Sequence, residues 1–364
     1  MRAVSDKSSE RLIVFRYDKI GDLIVTTPLF SALKNSGRVS EITLICSPSN
    51  KDVLRGMPDI DRILVYHPKL SWLGKLRFAA TLRRLRPTTA IVLSPDEDGY
   101  FLSYLSGARR RAGMIMSYRR YARIVASLLL SDVELVNVKD FVERVNPRYH
   151  QSAIVLRLAA KLGYHCSADI GLSVPLDKRA KEWVNASFGG QTGHRILVHL
   201  GGSWRSCGLT EPELPEMVHR IHAAFPDAVL MLTSGPDDSS CLDHVSPLFP
   251  VTLQHEPRVR SAPERYRDAS LISEMSFDQW SALISTASVV ITPDTGAVHL
   301  ASAHGIPVVV AYNKDRFIRM LTLFGPRNVP FRALVATPGN DLIGEIISSI
   351  RELAPTKCGL DHAH

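Results

Sequence analysis

The chain has 364 residues, of which 45% are hydrophobic and 22% charged, and its formal net charge is +8. This composition is typical of a globular protein, and the length predicts two domains. No apolar run is long enough to cross a bilayer, and residues 1–10 lack the apolar core of a signal peptide. The positive charge favours an anionic partner, which means nucleic acid, a phosphorylated substrate or an acidic membrane surface.

The five cysteines are odd in number and widely spaced, at positions 46, 166, 207, 241 and 358. No Cys-x-x-Cys pair occurs, so the pattern predicts neither a disulfide framework nor a zinc site. Free thiols are typical of a reducing compartment. We therefore expect a cytoplasmic protein without a structural metal.

Apolar runs alternate with helical segments through the first half of the chain. We predict strands at 12–15, 41–46, 62–66 and 89–93, and helices over 22–35 and 73–85. Such alternation is typical of a doubly wound parallel sheet. No Gly-x-Gly-x-x-Gly follows the first strand, which counts against a nicotinamide-dependent enzyme.

A polar loop over residues 16–22 follows the first predicted strand. Ligands of doubly wound sheets bind beyond the carboxyl ends of the strands, so Arg16, Lys19, Gly21 and Asp22 are candidate site residues. Asp22 would also open the following helix, and the role of a plain helix N-cap would be enough to explain it. The two roles are compatible on one carboxylate.

Three adjacent carboxylates, Asp96, Glu97 and Asp98, follow the strand over 89–93. They are superficially similar to an Asp-x-Asp metal motif, but we interpret them as part of a solvated loop. A predicted helix over 150–163 precedes an extended stretch with a proline, which indicates a domain boundary. We assign residues 1–172 to the first domain, 173–338 to the second, and 339–364 to a C-terminal helix and tail.

The second half of the chain repeats the alternation of strands and helices. We predict strands over 195–200 and 229–234 and helices over 277–286 and 341–353. Residues 253–270 are rich in proline and arginine and lack periodicity, which predicts a loop, either a basic flap or a variable surface insertion.

Small polar residues follow the predicted strand over 195–200. A glycine pair and serines directly after a strand suit phosphate oxygens, so Gly202, Ser203 and Ser206 are candidates for binding a phosphorylated ligand. Arg205 lies between them and would add positive charge.

The densest motif lies over residues 288–313, where two short apolar strands flank a turn and a small-residue helix. A strand–helix–strand unit predicts parallel strands, and the helix would begin near Thr295 and Gly296. Unpaired N–H groups and the helix dipole make this a site for phosphate or diphosphate. His299 lies one turn further on the same face, and Asp294 precedes the cap. A plain helix cap with a buried histidine is the structural alternative.

Two of these motifs resemble the glycosyltransferase family 9 enzymes, the bacterial lipopolysaccharide heptosyltransferases. The family's donor pattern, Asp-Thr-Gly-x-x-His-x-Ala followed by Gly-x-Pro, is present at 294–301 and 305–307. The family's opening pattern, Gly-Asp before a helix with Thr-x-Pro, is present at 21–22 and 26–28. The resemblance extends from about Leu12 to Leu353.

The resemblance implies an α/β fold of the GT-B type, in which two Rossmann-like domains face each other across a cleft. It implies an inverting, metal-independent transfer of a sugar, with heptose as the first expectation, to a lipopolysaccharide core or another surface glycan. The implied partners are an ADP-heptose-like nucleotide-diphospho-sugar, an anionic glycolipid acceptor and the inner membrane face, with no nucleic acid and no cofactor. The C-terminal helix would pack back on the first domain.

The resemblance also assigns roles to the candidate residues. Asp22 would be the catalytic base, and the acceptor would contact Arg16, Lys19 and Gly21. The residues implied in donor binding are Gly202, Ser203, Arg205, Ser206, Asp294, Thr295, Gly296 and His299.

One departure from the family keeps other functions open. The family has a lysine in a Ser-Lys-x-Trp pattern, whereas this chain has Ser206, Cys207, Gly208 and Leu209 at the aligned positions. Arg205 would have to supply the missing charge. The alternatives are a GT-B sugar-nucleotide epimerase and a degenerate relative that only binds a glycan or a membrane.

Overall fold

The protein is described by a computed structural model that covers residues 10–94, 96–141, 143–164, 170–190, 193–235, 238–253, 257–261, 268–337 and 339–354. The chain divides into two compact units. The first extends to Pro175 and includes Thr322–Phe324, and the second comprises Leu176–Leu321 and the residues from Gly325 onward. Every helix in the described part of the chain is too short or too polar to span a bilayer.

The first unit is built on a parallel sheet of six strands in the order β3-β2-β1-β4-β5-β6. The strands are β1 (Glu10–Phe15), β2 (Val39–Cys46), β3 (Arg62–Val65), β4 (Thr89–Val92), β5 (Arg110–Met116) and β6 (Asp132–Val136). The helices are α1 (Ile20–Ile24), α2 (Thr27–Asn35), α3 (Trp72–Arg84), α4 (Glu97–Leu105), α5 (Arg120–Leu129) and α6 (Gln151–Lys161).

The second unit is built on a sheet of eight strands in the order β14-β13-β12-β7-β8-β11-β10-β9. The strands are β7 (Arg195–Leu200), β8 (Val229–Ser234), β9 (Val251–Leu253), β10 (Arg258–Ser261), β11 (Ala269–Ser273), β12 (Val289–Pro293), β13 (Val308–Tyr312) and β14 (Phe331–Val335). The helices are α7 (Lys178–Phe188), α8 (Leu214–Ala224), α9 (Ser239–Val245), α10 (Phe277–Ile284), α11 (Gly296–Ala303), α12 (Phe317–Phe324) and α13 (Leu342–Leu353). The last three residues of α12 belong to the first unit.

Both sheets are covered on both faces, as the apolar strand runs predicted. The central strands β4, β12 and β13 are buried along their whole length, which is typical of parallel strands between two helix layers. The prediction of two doubly wound α/β domains is confirmed.

The predicted single helix over 22–35 is wrong, because the structure has two helices there. The α1 helix ends at Ile24, and α2 begins at Thr27 with Pro28 in its first turn. Proline has no N–H group with which to continue the hydrogen bonds of α1. The hydroxyls of Thr26 and Thr27 donate instead to the carbonyl oxygens of Asp22 and Ile24, at 2.9 and 2.8 Å.

The predicted loop over 253–270 is also corrected in its described part. Residues 258–261 form β10, which pairs antiparallel with β11 and with β9. Val259 is buried, and the backbone pairing extends the edge of the sheet. Residues 254–256 and 262–267 of this predicted loop lie outside the described residues.

The predicted C-terminal helix over 341–353 is present as α13 (Leu342–Leu353). The apolar face of α13 is buried in the core of the second unit, through Ile343, Ile346 and Ile350. It lies against β13, β14 and α8. The apolar face of α13 therefore packs within the second unit.

Candidate functional site

The candidate site of the first unit lies where the direction of strand addition reverses. From β1 the chain adds β2 and β3 on one side, and then returns to add β4 on the other. The segments that follow β1 and β4 are therefore neighbours. The Tyr17 N–H donates to Ser94 Oγ at 2.9 Å, and the Leu93 N–H donates to the Phe15 carbonyl at 3.0 Å. Ligands of doubly wound sheets bind at such a switch point.

Arg16 is the buried residue that connects the segments at this switch point. Its side chain is only 1% exposed. The guanidinium donates to the carbonyl oxygens of Asp22 and Leu93, at 2.9 and 2.5 Å, and to the carboxylate of Asp18 at 3.2 Å. A second nitrogen, Nη2, lies 3.3 Å from Asp22 Oδ1. A buried charge of this kind is tolerated because it is paired and hydrogen-bonded. Arg16 therefore holds the loop and the Asp22 carboxylate in place.

Asp22 combines a structural contact with an accessible carboxylate. It is the third residue of α1, and its Oδ2 accepts from the Lys19 N–H at 3.4 Å, whereas the N-cap position predicted for Asp22 is occupied by Lys19. The Asp22 side chain is 20% exposed to solvent. Lys19 is exposed, and Gly21 is buried in the first turn. The structure thus brings all four predicted residues of this loop together.

The three carboxylates after β4 do not form a solvated loop. Asp96 caps α4 by accepting from the Gly99 N–H at 2.9 Å, and it also accepts a hydrogen bond from the Tyr17 hydroxyl. Asp98 is bound by Lys75 at 2.6 Å and by the Tyr66 hydroxyl at 2.7 Å. The prediction of a solvated loop is wrong because these side chains cap α4 and tie it to the neighbouring elements.

Burial raises the pKa values of three groups at this switch point. Burial raises the pKa of Asp18, and the nearby Arg16 guanidinium opposes that rise. Burial also raises the pKa of Asp96, against the hydrogen bonds from Tyr17 and Gly99. The Tyr17 pKa is raised far above its ordinary value by burial and by the Asp96 charge. Tyr17 therefore remains a neutral hydrogen-bond donor.

The second unit has its switch point between β7 and β12. The chain adds β8 and β11 on one side of β7 before β12 pairs with the other side. The loops that follow these two strands touch. A Cβ atom on Gly201 would lie 3.4 Å from Thr295 Cγ2 and 3.6 Å from Pro293 Cγ.

The turn before α11 has the predicted cap. Thr295 is the N-cap, with an extended backbone, and its Oγ1 accepts from the Ala297 N–H at 3.3 Å. A second hydroxyl, from Thr292, lies 2.8 Å from the same oxygen. Asp294, Thr295 and Gly296 are partly exposed, whereas His299 is buried one turn further along. The partly exposed surface is therefore the helix N-terminus, whereas the His299 side chain lies in the core.

The second predicted phosphate segment is a 3-10 turn over Gly202–Cys207. Ser206 Oγ donates to the Ser203 carbonyl at 2.8 Å, and Asn313 Nδ2 donates to the Ser206 carbonyl at 2.7 Å. Arg205 is 75% exposed, and its Nε lies 4.0 Å from Glu211 Oε2. The turn is therefore fixed by its neighbours while Arg205 extends into solvent.

The Cys207 side chain points into the core, whereas that of Arg205 points into solvent. Its side chain is buried, and its thiol donates to the Ala311 carbonyl at 3.2 Å. Burial raises the pKa of this thiol. The position aligned with the family's lysine therefore faces the core, and the nearest basic side chain of the same turn is Arg205.

Sequence reasoning missed two polar residues near the strand ends of this site. Tyr312 ends β13, and its buried hydroxyl has no hydrogen-bond partner within the described part of the chain. Burial and the Asp294 charge raise the Tyr312 pKa well above its usual value. His199 lies near the end of β7, 3.1 Å from the Thr233 hydroxyl, and burial lowers its pKa to about 4. Polar residues near the carboxyl ends of apolar strands were the available signal.

Over the described residues, no group of three or more His, Cys, Asp or Glu side chains is placed to hold a metal ion. Cys46, Cys207 and Cys241 are free and buried. The other two cysteines lie outside the described residues.

Comparisons with known proteins bear on this geometry. The sequence model of glycosyltransferase family 9 (heptosyltransferase) matches residues 249–327, which contain β12, α11 and β13. A curated protein of Haemophilus influenzae, "Putative glycosyltransferase", is 20% identical over 319 residues, which cover 84% of this chain and 83% of that protein.

Three solved structures share the fold at low identity. The ADP-heptose lps heptosyltransferase II of E. coli gives a TM-score of 0.73 at 14% identity, over 94% of this chain and 98% of that one. A family 9 glycosyl transferase of Veillonella parvula gives 0.69 at 17% identity, over 93% and 90%. The E. coli heptosyltransferase WaaC with ADP gives 0.67 at 14% identity, over 94% and 100%. The resemblance to glycosyltransferase family 9 is thereby confirmed, and the family match, the curated relative and the shared fold together support a glycosyltransferase of the GT-B fold.

Proposed function

We propose that the protein is an inverting, metal-independent glycosyltransferase that uses a nucleotide-diphospho-sugar. One observation carries the proposal. The N-terminus of α11 is partly exposed at the switch point of the second sheet, and it lies within the residues that match family 9. Free N–H groups and the positive end of the dipole at such a turn favour a diphosphate.

We propose that the donor is ADP-heptose-like and the acceptor a lipopolysaccharide core or another anionic surface glycan. Support comes from the solved relatives, whose descriptions name ADP, heptose and lps. The net charge of +8 favours an anionic acceptor at the cytoplasmic face of a membrane. The proposed acceptor contacts are Lys19 and Gly21, with Arg16 as the residue that positions the loop.

The proposed reaction is a single displacement. The Asp22 carboxylate takes the proton of an acceptor hydroxyl as its oxygen bonds to the anomeric carbon. The bond from that carbon to the diphosphate oxygen breaks on the opposite side, and its electron pair stays on the diphosphate. Inversion follows because attack and departure occur on opposite faces of the sugar.

The leaving diphosphate gains negative charge, and the second unit offers groups that would stabilise it. The N–H groups at Thr295 and Gly296 and the guanidinium of Arg205 are the proposed partners. Ser203, Ser206 and the backbone of Gly202 would line the same ligand. Asp294 would accept hydrogen bonds from sugar hydroxyls, and His299 would support the turn from the core.

The test is a turnover assay with a panel of nucleotide-sugars, with and without a lipopolysaccharide core acceptor, in the presence of a chelator. We expect nucleoside diphosphate release that requires the acceptor and survives chelation, and a product with inverted anomeric configuration by NMR. Isomerised nucleotide-sugar without acceptor would indicate an epimerase. Tight nucleotide-sugar binding without any turnover would indicate a non-catalytic relative.

A further inference from the structure

The helix layer α3–α4–α5 covers one face of the first sheet and has an unusual outer surface. Among the described residues, every exposed large apolar side chain belongs to the first unit, and most of them lie in this layer or next to it. The core of the second unit, in contrast, encloses its large apolar side chains. An exposed apolar patch on a globular protein commonly marks an interaction surface.

The apolar pattern of α5 is the reverse of an ordinary surface helix. Its buried positions are the small residues Ala122 and Ala126. Its large apolar side chains face outward: Tyr121, Ile124 and Leu128 are 69%, 61% and 76% exposed. These three residues have the spacing of one helix face, so they form a continuous stripe. Packing within the unit does not account for this stripe.

A groove continues the stripe toward the edge of the sheet. It has a volume of about 550 Å³ and an apolar lining from Ile115, Val133 and Leu135, with Ile124 on its α5 side. The terminal strand of this sheet is β6, so the groove lies at the sheet's outer edge. The groove and the stripe are therefore parts of one surface.

Positive charge surrounds this apolar surface. Arg120 and Arg123 line the groove and are exposed. The α3, α4 and α5 helices together contain six Lys and Arg against two acidic residues, Glu97 and Asp98 at the start of α4. Two copies of the chain that met through this face would bring like charges together, which disfavours self-association. An apolar partner with negative charge suits both features.

We propose that this face of α5 docks the protein on an anionic phospholipid bilayer. Ile124 and Leu128 enter the boundary between headgroups and acyl chains, and Arg120 and Arg123 bind lipid phosphates. Interfacial helices combine a basic side with a large apolar stripe in this way, and their affinity rises with anionic lipid. The inference deepens the proposed function, because it names the surface through which the chain would reach the membrane that carries the proposed acceptor. The bilayer contact itself needs neither donor nor sugar, so failure of the vesicle assay and failure of the transfer assay are separate results.

The test is flotation of the full chain with vesicles of phosphatidylcholine alone or mixed with phosphatidylglycerol. We expect binding only to the mixed vesicles. Ile124→Ser with Leu128→Ser should raise the lipid concentration for half-binding by about tenfold for each side chain that enters the interface. Arg120→Gln with Arg123→Gln should raise it by about fivefold per arginine. All four side chains are exposed, so the thermal stability of both variants should be unchanged.

A matched control separates this surface from general basicity. Lys178→Gln with Arg179→Gln removes two exposed positive charges from α7 in the second unit, where the outer face has no apolar stripe. We expect this control to bind the mixed vesicles like the unsubstituted protein.

Four results would overturn the proposal. The first is no binding to mixed vesicles. The second is that Lys178→Gln with Arg179→Gln weakens vesicle binding as much as Arg120→Gln with Arg123→Gln does. The third is a dimer in sedimentation, without vesicle binding, that Ile124→Ser with Leu128→Ser converts to a monomer, because the face would then meet a second copy. The fourth is α5-dependent binding to polyglutamate but not to vesicles, which would indicate an acidic polypeptide.

Discussion

At the scale of single residues, Arg16 explains how a loop holds the partly exposed carboxylate of Asp22. The guanidinium is buried and joins β1, the segment after β4 and the first turn of α1. Any change that freed Arg16 would leave a charge in a dry environment, at a cost of about 3–5 kcal/mol when a buried pair is broken. The geometry of Asp22 therefore depends on partners that are distant in sequence.

Asp22→Asn tests the proposed base. The amide oxygen of asparagine can still accept from the Lys19 N–H, so α1 should persist. Arg16 keeps Asp18 and two carbonyl partners, and the stability should fall by only about 1–2 kcal/mol, as for one lost charged hydrogen bond. Turnover should fall by about two to four decades, with donor binding retained, because the proton acceptor is removed. Kinetics and calorimetry on the same preparation measure both effects.

Asp18→Asn is the matched control for that substitution, because Asp18 binds the same guanidinium. Its turnover should exceed that of Asp22→Asn by at least about tenfold. If both variants lose activity equally, the charge balance around Arg16 matters and Asp22 is only a structural cap.

Substitutions at Arg205 test the source of positive charge for the proposed diphosphate ligand. The helix dipole offers only about half an elementary charge, so a cation should be needed. Arg205→Ala should weaken donor binding by about 1.5–3 kcal/mol without loss of stability, because the side chain is largely exposed. Arg205→Lys should restore part of the affinity but lose the paired geometry. Isothermal titration with a nucleoside diphosphate measures the difference.

Cys207→Lys is an informative companion because the family has its lysine at this position. The Cys207 side chain lies in the core against Ala311, so a lysine there would be buried without a partner. We expect a loss of more than about 3 kcal/mol of stability and no gain in donor binding. A stable variant with higher turnover would show that the turn can reverse and that Arg205 is not the cation.

At the scale of elements, α11 is eight residues long, and its proposed role in binding a diphosphate depends on its first turn. Gly296→Val tests that turn. Gly296 is helical, so valine can adopt its backbone, but the branched side chain would occupy the approach to the N–H groups. Affinity for a nucleoside diphosphate should fall by about tenfold or more while affinity for the nucleoside changes little. Equal losses for both ligands would indicate a disturbed fold or another site.

The elements that sequence reasoning identified well are those specified locally. The strands predicted over 195–200 and 229–234 match β7 and β8, because each is a continuous apolar run with turn residues at its ends. Residues 258–261 were missed because their strand is defined by backbone pairing with β11, which the sequence does not display. The cap at Thr295 was visible in a local motif. The Arg16 network was not, since its partner Leu93 is distant along the chain.

At the scale of the whole molecule, the two units should respond differently to acid. His199 and His304 both belong to the second unit, and burial lowers the pKa of each to about 4. The first unit contains Asp18 and Asp96, whose pKa values burial raises. Those carboxylates remain protonated to higher pH when folded, so they favour the folded first unit as pH falls.

The second unit should therefore lose stability between about pH 6.5 and pH 4. Above pH 6.5 both histidines are neutral in the folded and the unfolded chain. As the pH falls, the unfolded chain binds protons first, because the folded histidines resist protonation until about pH 4. The equilibrium shifts toward unfolding by roughly 2–3 kcal/mol for each histidine at pH 4.5, and the loss levels off below pH 4. The lowered pKa of Asp341, about 2, acts only below this window.

Tryptophan fluorescence can follow this loss, because Trp183, Trp204 and Trp280 lie in the second unit and only Trp72 lies in the first. Urea unfolding at pH 7 and pH 4.5 should show a lower midpoint for the tryptophan signal at the acid pH. His304→Gln should reduce that difference by about half, since glutamine does not titrate and can still bond the Ser281 hydroxyl. Equal midpoints at the two pH values, or an unchanged difference in the variant, would mean that these histidines are not held neutral by the fold.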